Sequence, residues 1–185
     1  MARQREQLEQ RTRRRVDAAA RAVKYGPDLS EAQTALGTVN YWLEWNWPAA
    51  ETAFRKAIDL YYSYSQAHRV LGIVLASSGQ HEAARTAMSR ARELDPSSPV
   101  EQALSAHVEY LGRDYPAGLP FALGAKAIDA RFWIGLFQLG LIYERLGNNE
   151  AALDTLRQAE AFSSNSKIFS LRGYILARMG RTKEA

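Results

Sequence analysis

Apolar residues recur at a helical period along most of the chain, and Leu-Gly pairs interrupt that pattern at regular points. The pairs fall at 36–37, 71–72 and 139–140, and the last two lie 68 residues apart, twice 34. The same small residues follow these two pairs at the same offsets, namely Gly79, Ala84 and Ala91, then Gly147, Ala152 and Ala159. A fixed period of this length predicts two-helix units that stack in sequence order.

The chemistry of the repeated positions explains why such units stack. Gly72, Ala84 and Ala91 are small enough to let two helices approach closely, and larger apolar residues fill the space between them. Gly79 ends a helix at little cost because glycine readily takes a left-handed conformation. One hairpin cannot bury both of its apolar faces, so neighbouring hairpins must complete the core.

The repeat resembles the tetratricopeptide family, whose unit is a helix–turn–helix of 34 residues. The resemblance implies an all-α fold, a right-handed α–α superhelix of stacked hairpins. Residues 1–29 then form a basic N-terminal helix and a degenerate preceding unit, and 30–185 form the array. Its units are 30–64, 65–98, 99–132 and 133–166, with a partial fifth unit at 166–185.

Three units depart from the regular pattern. The first unit contains one extra residue near Trp45, and the fifth starts one residue early. In the third unit Gly118 replaces the expected alanine, and Pro120 predicts that its second helix either kinks or starts late. The sequence ends at Ala185, where a capping helix is missing, so we expect a fragment of a longer protein. We also expect self-association through an uncovered C-terminal face, formed by Leu171, Tyr174, Ile175 and Leu176.

Composition excludes several classes of protein. The 185 residues contain no cysteine, which excludes disulfides, zinc–thiolate sites and thiol nucleophiles. No apolar run approaches the roughly 18 residues of a membrane span. No apolar stretch follows the N-terminal arginines, so the sequence predicts no signal peptide. We favour a cytoplasmic over a periplasmic location.

The positive charge is concentrated at the N-terminus. The formal net charge is +4, and residues 1–24 carry eight basic and three acidic groups, including Arg3 and Arg5. One face of this segment is less polar and contains Leu8, Thr12, Val16, Ala19 and Val23. We expect this face to dock on the first hairpin, while the basic side chains face solvent. Binding of nucleic acid or another anion to this helix is the alternative function, although no aromatic residue interleaves the charges for base stacking.

Candidate catalytic residues are few. His68, His81 and His107 are not spaced as metal ligands, and a packing role is favoured for His68. The chain has no glycine-rich phosphate loop and no nucleophile motif. We therefore predict no enzyme activity, no cofactor and no metal site.

The resemblance also implies a binding surface, because first helices in this family line a concave groove. The implied partner-binding residues are Tyr41, Trp42, Arg69, Ile73, His107, Tyr110, Phe137, Leu141 and Arg145, with Glu144 beside them. Aromatic, aliphatic and arginine side chains together suit an extended peptide or a partner helix. We expect a protein–protein interaction scaffold. The lysine, asparagine and arginine side chains with which chaperone-binding members hold a C-terminal carboxylate are absent from most of the corresponding positions.

An aromatic cluster marks the first hairpin. Tyr41, Trp42, Trp45 and Trp47 suggest either a ligand cage or packing that covers the enlarged turn, and we favour packing. The segment 41–57 resembles a first hairpin of tetratricopeptide regions in bacterial signalling proteins, such as adenylate cyclases, kinases and winged-helix regulators. That resemblance implies a bacterial origin and an accessory domain beside an output domain.

Overall fold

The computed structural model describes residues 2–184, apart from the side chains of residues 2–5 and of Leu8. The predictions for Arg3, Arg5, Leu8 and Ala185 therefore lie outside the described residues. Within that range the chain is all-α, as predicted, with ten helices and no strand. The helices are α1 (Ala2–Tyr25), α2 (Ser30–Trp42), α3 (Trp47–Leu60), α4 (Ser65–Ser77), α5 (His81–Leu94), α6 (Pro99–Leu111), α7 (Tyr115–Ile128), α8 (Trp133–Arg145), α9 (Asn149–Glu160) and α10 (Ser166–Arg178).

Each of the helices α2, α4, α6, α8 and α10 is followed by a residue with left-handed backbone. Glycine takes this position three times, at Gly79, Gly147 and Gly180, with φ between 76° and 80°. Trp45 (φ 54°) and Arg113 (φ 60°) take it in the other two turns, where a side chain makes the conformation less favourable. The α2–α3 turn has four residues, 43–46, and the α4–α5 turn has three, which confirms the extra residue predicted near Trp45.

The chain divides into two compact units, Met1–Leu94 and Asp95–Ala185, called here the N-terminal and C-terminal units. In the N-terminal unit α2 packs on α3, α4 packs on α5, and the two hairpins meet through α3 and α4. The predicted close approaches are confirmed. Ala84 and Ala91 are fully buried, and a Cβ atom on Gly72 would lie 2.9 Å from the Met88 side chain.

Helix α1 docks on α2 through its less polar face. Ala19 is buried, and Thr12, Val16 and Val23 are half-buried. The basic side chains described on this helix are exposed, namely Arg11, Arg13, Arg14, Arg15, Arg21 and Lys24. The amphipathic docking predicted for these residues is therefore confirmed.

The C-terminal unit begins with the hairpin of α6 and α7, which contains Pro120. Asp114 caps α7 by accepting a hydrogen bond from the Ala117 N–H at 3.2 Å, and the helix runs from Tyr115 through Pro120 to Ile128. The expectation of a late start is therefore wrong. Gly118 is buried, and a Cβ atom there would lie 2.9 Å from Ile142, so the glycine lets α8 approach α7 closely.

Helix α10 packs on α9 and α8 and shares their core. Ile175 and Leu176 are buried in that core, so the expectation that they lie uncovered is wrong. Leu171 is half-buried, and Tyr174 is 48% exposed. Self-association through this face stays a prediction that rests on Leu171 and Tyr174 alone.

Candidate partner-binding faces

The N-terminal face is defined by the predicted groove residues on α2 and α4, namely Tyr41, Trp42, Arg69 and Ile73, together with Thr34 and Thr38 of α2. Tyr41 bonds the Ser77 hydroxyl at 2.7 Å and makes ring contacts with Trp42 (4.6 Å) and Trp47 (6.3 Å). Packing thus accounts for Tyr41 and Trp47. Trp42 remains 54% exposed, and its side chain is available to a partner.

A cavity of about 710 Å³ opens beside Trp42, between α1 and α2. Small side chains of α1 form one wall, and Thr34, Thr38 and Trp42 lie on the other. Thr34 is buried, and no described residue bonds its hydroxyl. Arg15 and Glu31 also line the cavity, which is therefore mixed in character. Its alanines and Trp42 offer an apolar part that suits an apolar side chain of a partner.

Two of the predicted residues on α4 do not join this cavity. Ile73 is only 7% exposed because α2 and α4 pack together, so its assignment to a partner-binding surface is corrected to a packing role. Arg69 is half-buried and lies near Tyr64. The pKa of Tyr64 is raised, chiefly by burial and further by the negative charge of Glu31, and the positive charge of Arg69 offsets part of this rise.

The C-terminal face consists of His107 and Tyr110 on α6 and of Phe137, Leu141 and Arg145 on α8. Phe137, Leu141 and Arg145 are spaced four residues apart and lie along one side of their helix. Phe137 and Leu141 are half-buried. Arg145 donates hydrogen bonds to the Tyr110 hydroxyl from Nη2 at 3.2 Å and Nε at 3.3 Å, and so joins α8 to α6. The structure brings His107, Tyr110 and Arg145 together, and the helical spacing places Phe137 and Leu141 on the same side of α8 as Arg145.

His107 is the titratable group of this face. Its ring is parallel to that of Tyr110 at 6.5 Å. Burial lowers the pKa of His107 below its usual value; Gln138 raises it, and the positive charge of Lys167 lowers it further. The imidazole is therefore neutral near pH 7. Arg145 has a raised pKa, chiefly because it bonds the Tyr110 hydroxyl.

Arg178 on α10 is a residue of this face that the sequence reasoning missed. Its Nη1 atom donates to Oε1 of Glu144 at 2.6 Å, and Nε of Arg145 lies 3.3 Å from the other oxygen, Oε2. Glu144 itself is buried, so it supports the face rather than contacting a partner. The signal was present in the sequence, because Arg145 and Arg178 are each the thirteenth residue of their helices.

A second cavity of about 510 Å³ lies in the N-terminal unit, where Tyr62, His68 and Arg90 contribute to its lining. His68 is buried and its Nε2 atom donates to the Tyr62 carbonyl at 2.8 Å. The packing role predicted for His68 is therefore confirmed. The Arg90 guanidinium lies 4.8 Å from the centre of the Tyr62 ring.

A metal site would require several ligands close together. In the described part of the chain, no group of three or more His, Asp or Glu residues is arranged to hold a metal ion. None of the described helices combines the length and the apolar character that crossing a membrane requires.

Repeated antiparallel helix pairs of this kind define the helical-repeat class of proteins, which use their extended surfaces as protein–protein interaction scaffolds. Two family profiles, both described as tetratricopeptide repeat, match residues 46–99 and 135–165. The chain therefore contains tetratricopeptide repeats in these two segments.

Relatives of known sequence or structure agree with this assignment. The chain is 26% identical over 160 residues to anaphase-promoting complex subunit 3 of Schizosaccharomyces pombe, a match that covers 86% of this chain and 24% of that protein. It thus spans about a quarter of the curated relative. The crystal structure of the APC/C hetero-tetramer Cut9-Hcn1 is similar over 91% of this chain and 34% of that chain, with a TM-score of 0.81 and 14% identity. TTC0263, a thermophilic tetratricopeptide repeat protein in Thermus thermophilus, is similar over 84% of this chain and 85% of that chain, with a TM-score of 0.75 and 21% identity. These two structural similarities show the fold alone.

Proposed function

We propose that this protein binds an extended peptide or a partner helix, and that its C-terminal face supplies the main anchor site. The observation that carries the proposal is the row of Phe137, Leu141 and Arg145 on one side of α8, where Arg145 bonds Tyr110 of α6. Aromatic side chains and arginines are over-represented at protein interfaces, and Leu141 adds apolar area between them. A hydrophobic or aromatic partner side chain would bury this row.

The N-terminal face supports the same function with a different surface. Trp42 is exposed at the edge of the cavity between α1 and α2, and Tyr41 is fixed beside it by its bond to Ser77. A fixed aromatic ring loses little conformational entropy on binding. We assign to this face a second contact for an apolar side chain.

Neither face binds the C-terminal carboxylate of the partner in this proposal. Thr34, Ile73 and Ala103, which occupy positions where carboxylate-binding members of the family carry polar or charged side chains, are all buried. His107 is mostly neutral near pH 7 because burial lowers its pKa. A carboxylate that entered without paired donors would lose hydration that it does not recover.

The experiment compares two random peptide libraries that differ only in their C-terminus, one amidated and one a free acid. We expect the protein to select the same peptides from both libraries, with aromatic or aliphatic residues enriched away from the ends. Selection from the free-acid library alone, with residues concentrated at the last positions, would overturn the proposal.

A second candidate function is binding of nucleic acid or another anion by α1. The observation that favours it is the exposure of the described arginines on that helix, including Arg11, Arg14 and Arg21. Replacing these three by glutamine removes the charge and leaves the docked side of α1 intact. If this function is correct, an oligonucleotide binds with an affinity that falls steeply with salt, and the triple variant loses that binding.

We also infer, from the resemblance of the first hairpin alone, that the array serves as an accessory domain of a larger bacterial regulatory protein. Its binding faces would then bring a partner to an output domain. Identification of the full-length gene product tests this inference, because the inference requires a second domain on the same polypeptide.

A further inference from the structure

We propose that Arg145 and Arg178 form a site for an acidic side chain of the bound peptide, and that the buried carboxylate of Glu144 holds the two arginines in position. The inference rests on the proposed peptide-binding function and names the chemistry of one contact in it. The partner segment would place an aspartate or glutamate next to its apolar anchor residue.

The geometry begins with the buried carboxylate. The side chain of Glu144 is 2% exposed, and each of its oxygens forms an ion pair with a different arginine, Oε1 with Arg178 and Oε2 with Arg145. One arginine suffices to neutralise a buried carboxylate, which is costly when unpaired. The second arginine leaves a surplus of one positive charge at this point of the face.

The arginines keep hydrogen-bonding capacity for a partner. Their side chains are 43% and 55% exposed, although both bond Glu144. Within the described residues Arg178 bonds only through Nη1, and Arg145 bonds only through Nε and Nη2. The remaining N–H groups can donate to a carboxylate, whose planar geometry matches that of a guanidinium group.

Tyrosines restrict where these groups point. The Arg145 guanidinium lies 5.7 Å from the centre of the Tyr110 ring, and that of Arg178 lies 5.6 Å from the centre of the Tyr174 ring. Both arginines also bond the hydroxyl groups of those tyrosines. Side chains fixed before binding lose less entropy when a ligand arrives, which favours a defined site over a diffuse charge.

Other carboxylates close to α10 leave the surplus charge of this site in place. Two other carboxylates near α10 bond different arginines, since Glu160 bonds Arg172 and Glu150 bonds Arg181. No recorded bond joins either of them to the site.

The surplus charge and the neighbouring residues identify the occupant. One surplus positive charge matches a singly charged carboxylate better than a doubly charged phosphate. Leu141 precedes Arg145 by one helical turn, so an apolar anchor and an acidic residue would be neighbours in the partner. We therefore choose a peptide carboxylate, and phosphorylated peptides become an outcome of the test.

The test uses a positional-scanning library of N-acetylated, C-amidated peptides with one fixed aromatic residue. Wild-type protein should prefer Asp or Glu beside the aromatic residue by about fivefold, a preference that weakens in high salt. Arg178→Gln should lose the acidic preference and keep the aromatic one. Arg172→Gln is the matched control, because it changes another arginine of α10 that bonds a different carboxylate, and it should keep both preferences.

Each result decides the inference. An acidic preference that persists in a folded Arg178→Gln variant overturns it, as does selection of phosphorylated peptides over carboxylates. If Arg178→Gln does not fold, the triple variant Glu144→Gln, Arg145→Gln, Arg178→Gln removes the buried charge together with both arginines, and it should also lose the acidic preference. An aromatic preference without an acidic one refutes this inference alone, whereas no aromatic preference in the wild-type protein refutes the proposed function.

Discussion

The two candidate binding faces are built on the same repeated helix pair and differ in chemistry. The thirteenth residue of the first helix is Trp42 in the first hairpin, whereas it is Arg145 in α8 and Arg178 in α10. The N-terminal face opens into a cavity lined in part by the alanines of α1, and the C-terminal face is crossed by hydrogen bonds among tyrosine, arginine and glutamate side chains. A few surface positions therefore account for the difference in chemistry between the two faces.

The buried sides of the two units are, in contrast, nearly interchangeable. A Cβ atom on Gly72 would meet Met88 at 2.9 Å, and one on Gly140 would meet Leu156 at 3.0 Å. In both units a glycine lets the second helix of the hairpin lie close to the first. Residue types are thus repeated at the packing positions of the two units and differ at their surface positions.

The largest expected effect comes from filling that close contact. Gly72→Leu should lower the free energy of unfolding by about 1–3 kcal/mol, because the added side chain overlaps Met88. The equivalent change in α10, Gly173→Leu, meets nothing within 4 Å and should leave stability near that of the wild type. Urea denaturation of both variants checks the contrast. Equal destabilisation by the two changes would show that the repeat positions are wrongly aligned.

A smaller effect is expected at the left-handed turn residues. Arg113→Gly should raise the free energy of unfolding by up to about 1 kcal/mol, because glycine takes positive φ without the steric cost of a side chain. The reverse change at the matching turn, Gly147→Arg, should lower it by a similar amount. The two denaturation midpoints should therefore move in opposite directions, and a shift in the same direction would contradict the explanation.

The pH dependence of stability provides a finer contrast. Burial lowers the pKa of His107, so the folded state favours the neutral imidazole. Below about pH 6.5 the imidazole is protonated more readily in the unfolded chain than in the folded protein. The free energy of unfolding is therefore unaffected by this group above about pH 6.5, and it decreases as the pH falls towards the folded-state pKa. His107→Gln should reduce the loss of stability between about pH 7 and pH 5. His81→Gln is the control, and an equal reduction there would contradict the assignment.

Much of the fold was predictable because packing depends on residues that repeat. The small residues at Gly72, Ala84 and Ala91 correctly indicated close helix contacts. Ile73 was assigned wrongly, because the pattern of a single helix does not reveal that its neighbour covers one side. The burial of Ile175 and Leu176 was missed for the same reason, since α10 packs on α8 and α9.

Most residues of the C-terminal face could be predicted from the sequence, but the hydrogen bonds between them could not. The repeat positions indicated His107, Tyr110 and Arg145, which the structure brings together, and Phe137 and Leu141 on the same side of α8. Arg178 was missed although it is the thirteenth residue of α10, as Arg145 is of α8; its bond to Glu144 is not visible in the pattern of a single helix. Left-handed conformations at Trp45 and Arg113 carried no signal, because neither residue type favours them.

The central claim is that an apolar anchor on the C-terminal face dominates binding, and one comparison of affinities tests it. Calorimetry would measure one amidated peptide, selected by the wild-type protein, against wild type, Phe137→Ala and Arg69→Ala. We predict that Phe137→Ala weakens binding by about tenfold or more, as expected for a central aromatic anchor, and that Arg69→Ala weakens it by less than about fivefold. Unchanged affinity in a folded Phe137→Ala variant, with a larger loss in Arg69→Ala, would contradict the account.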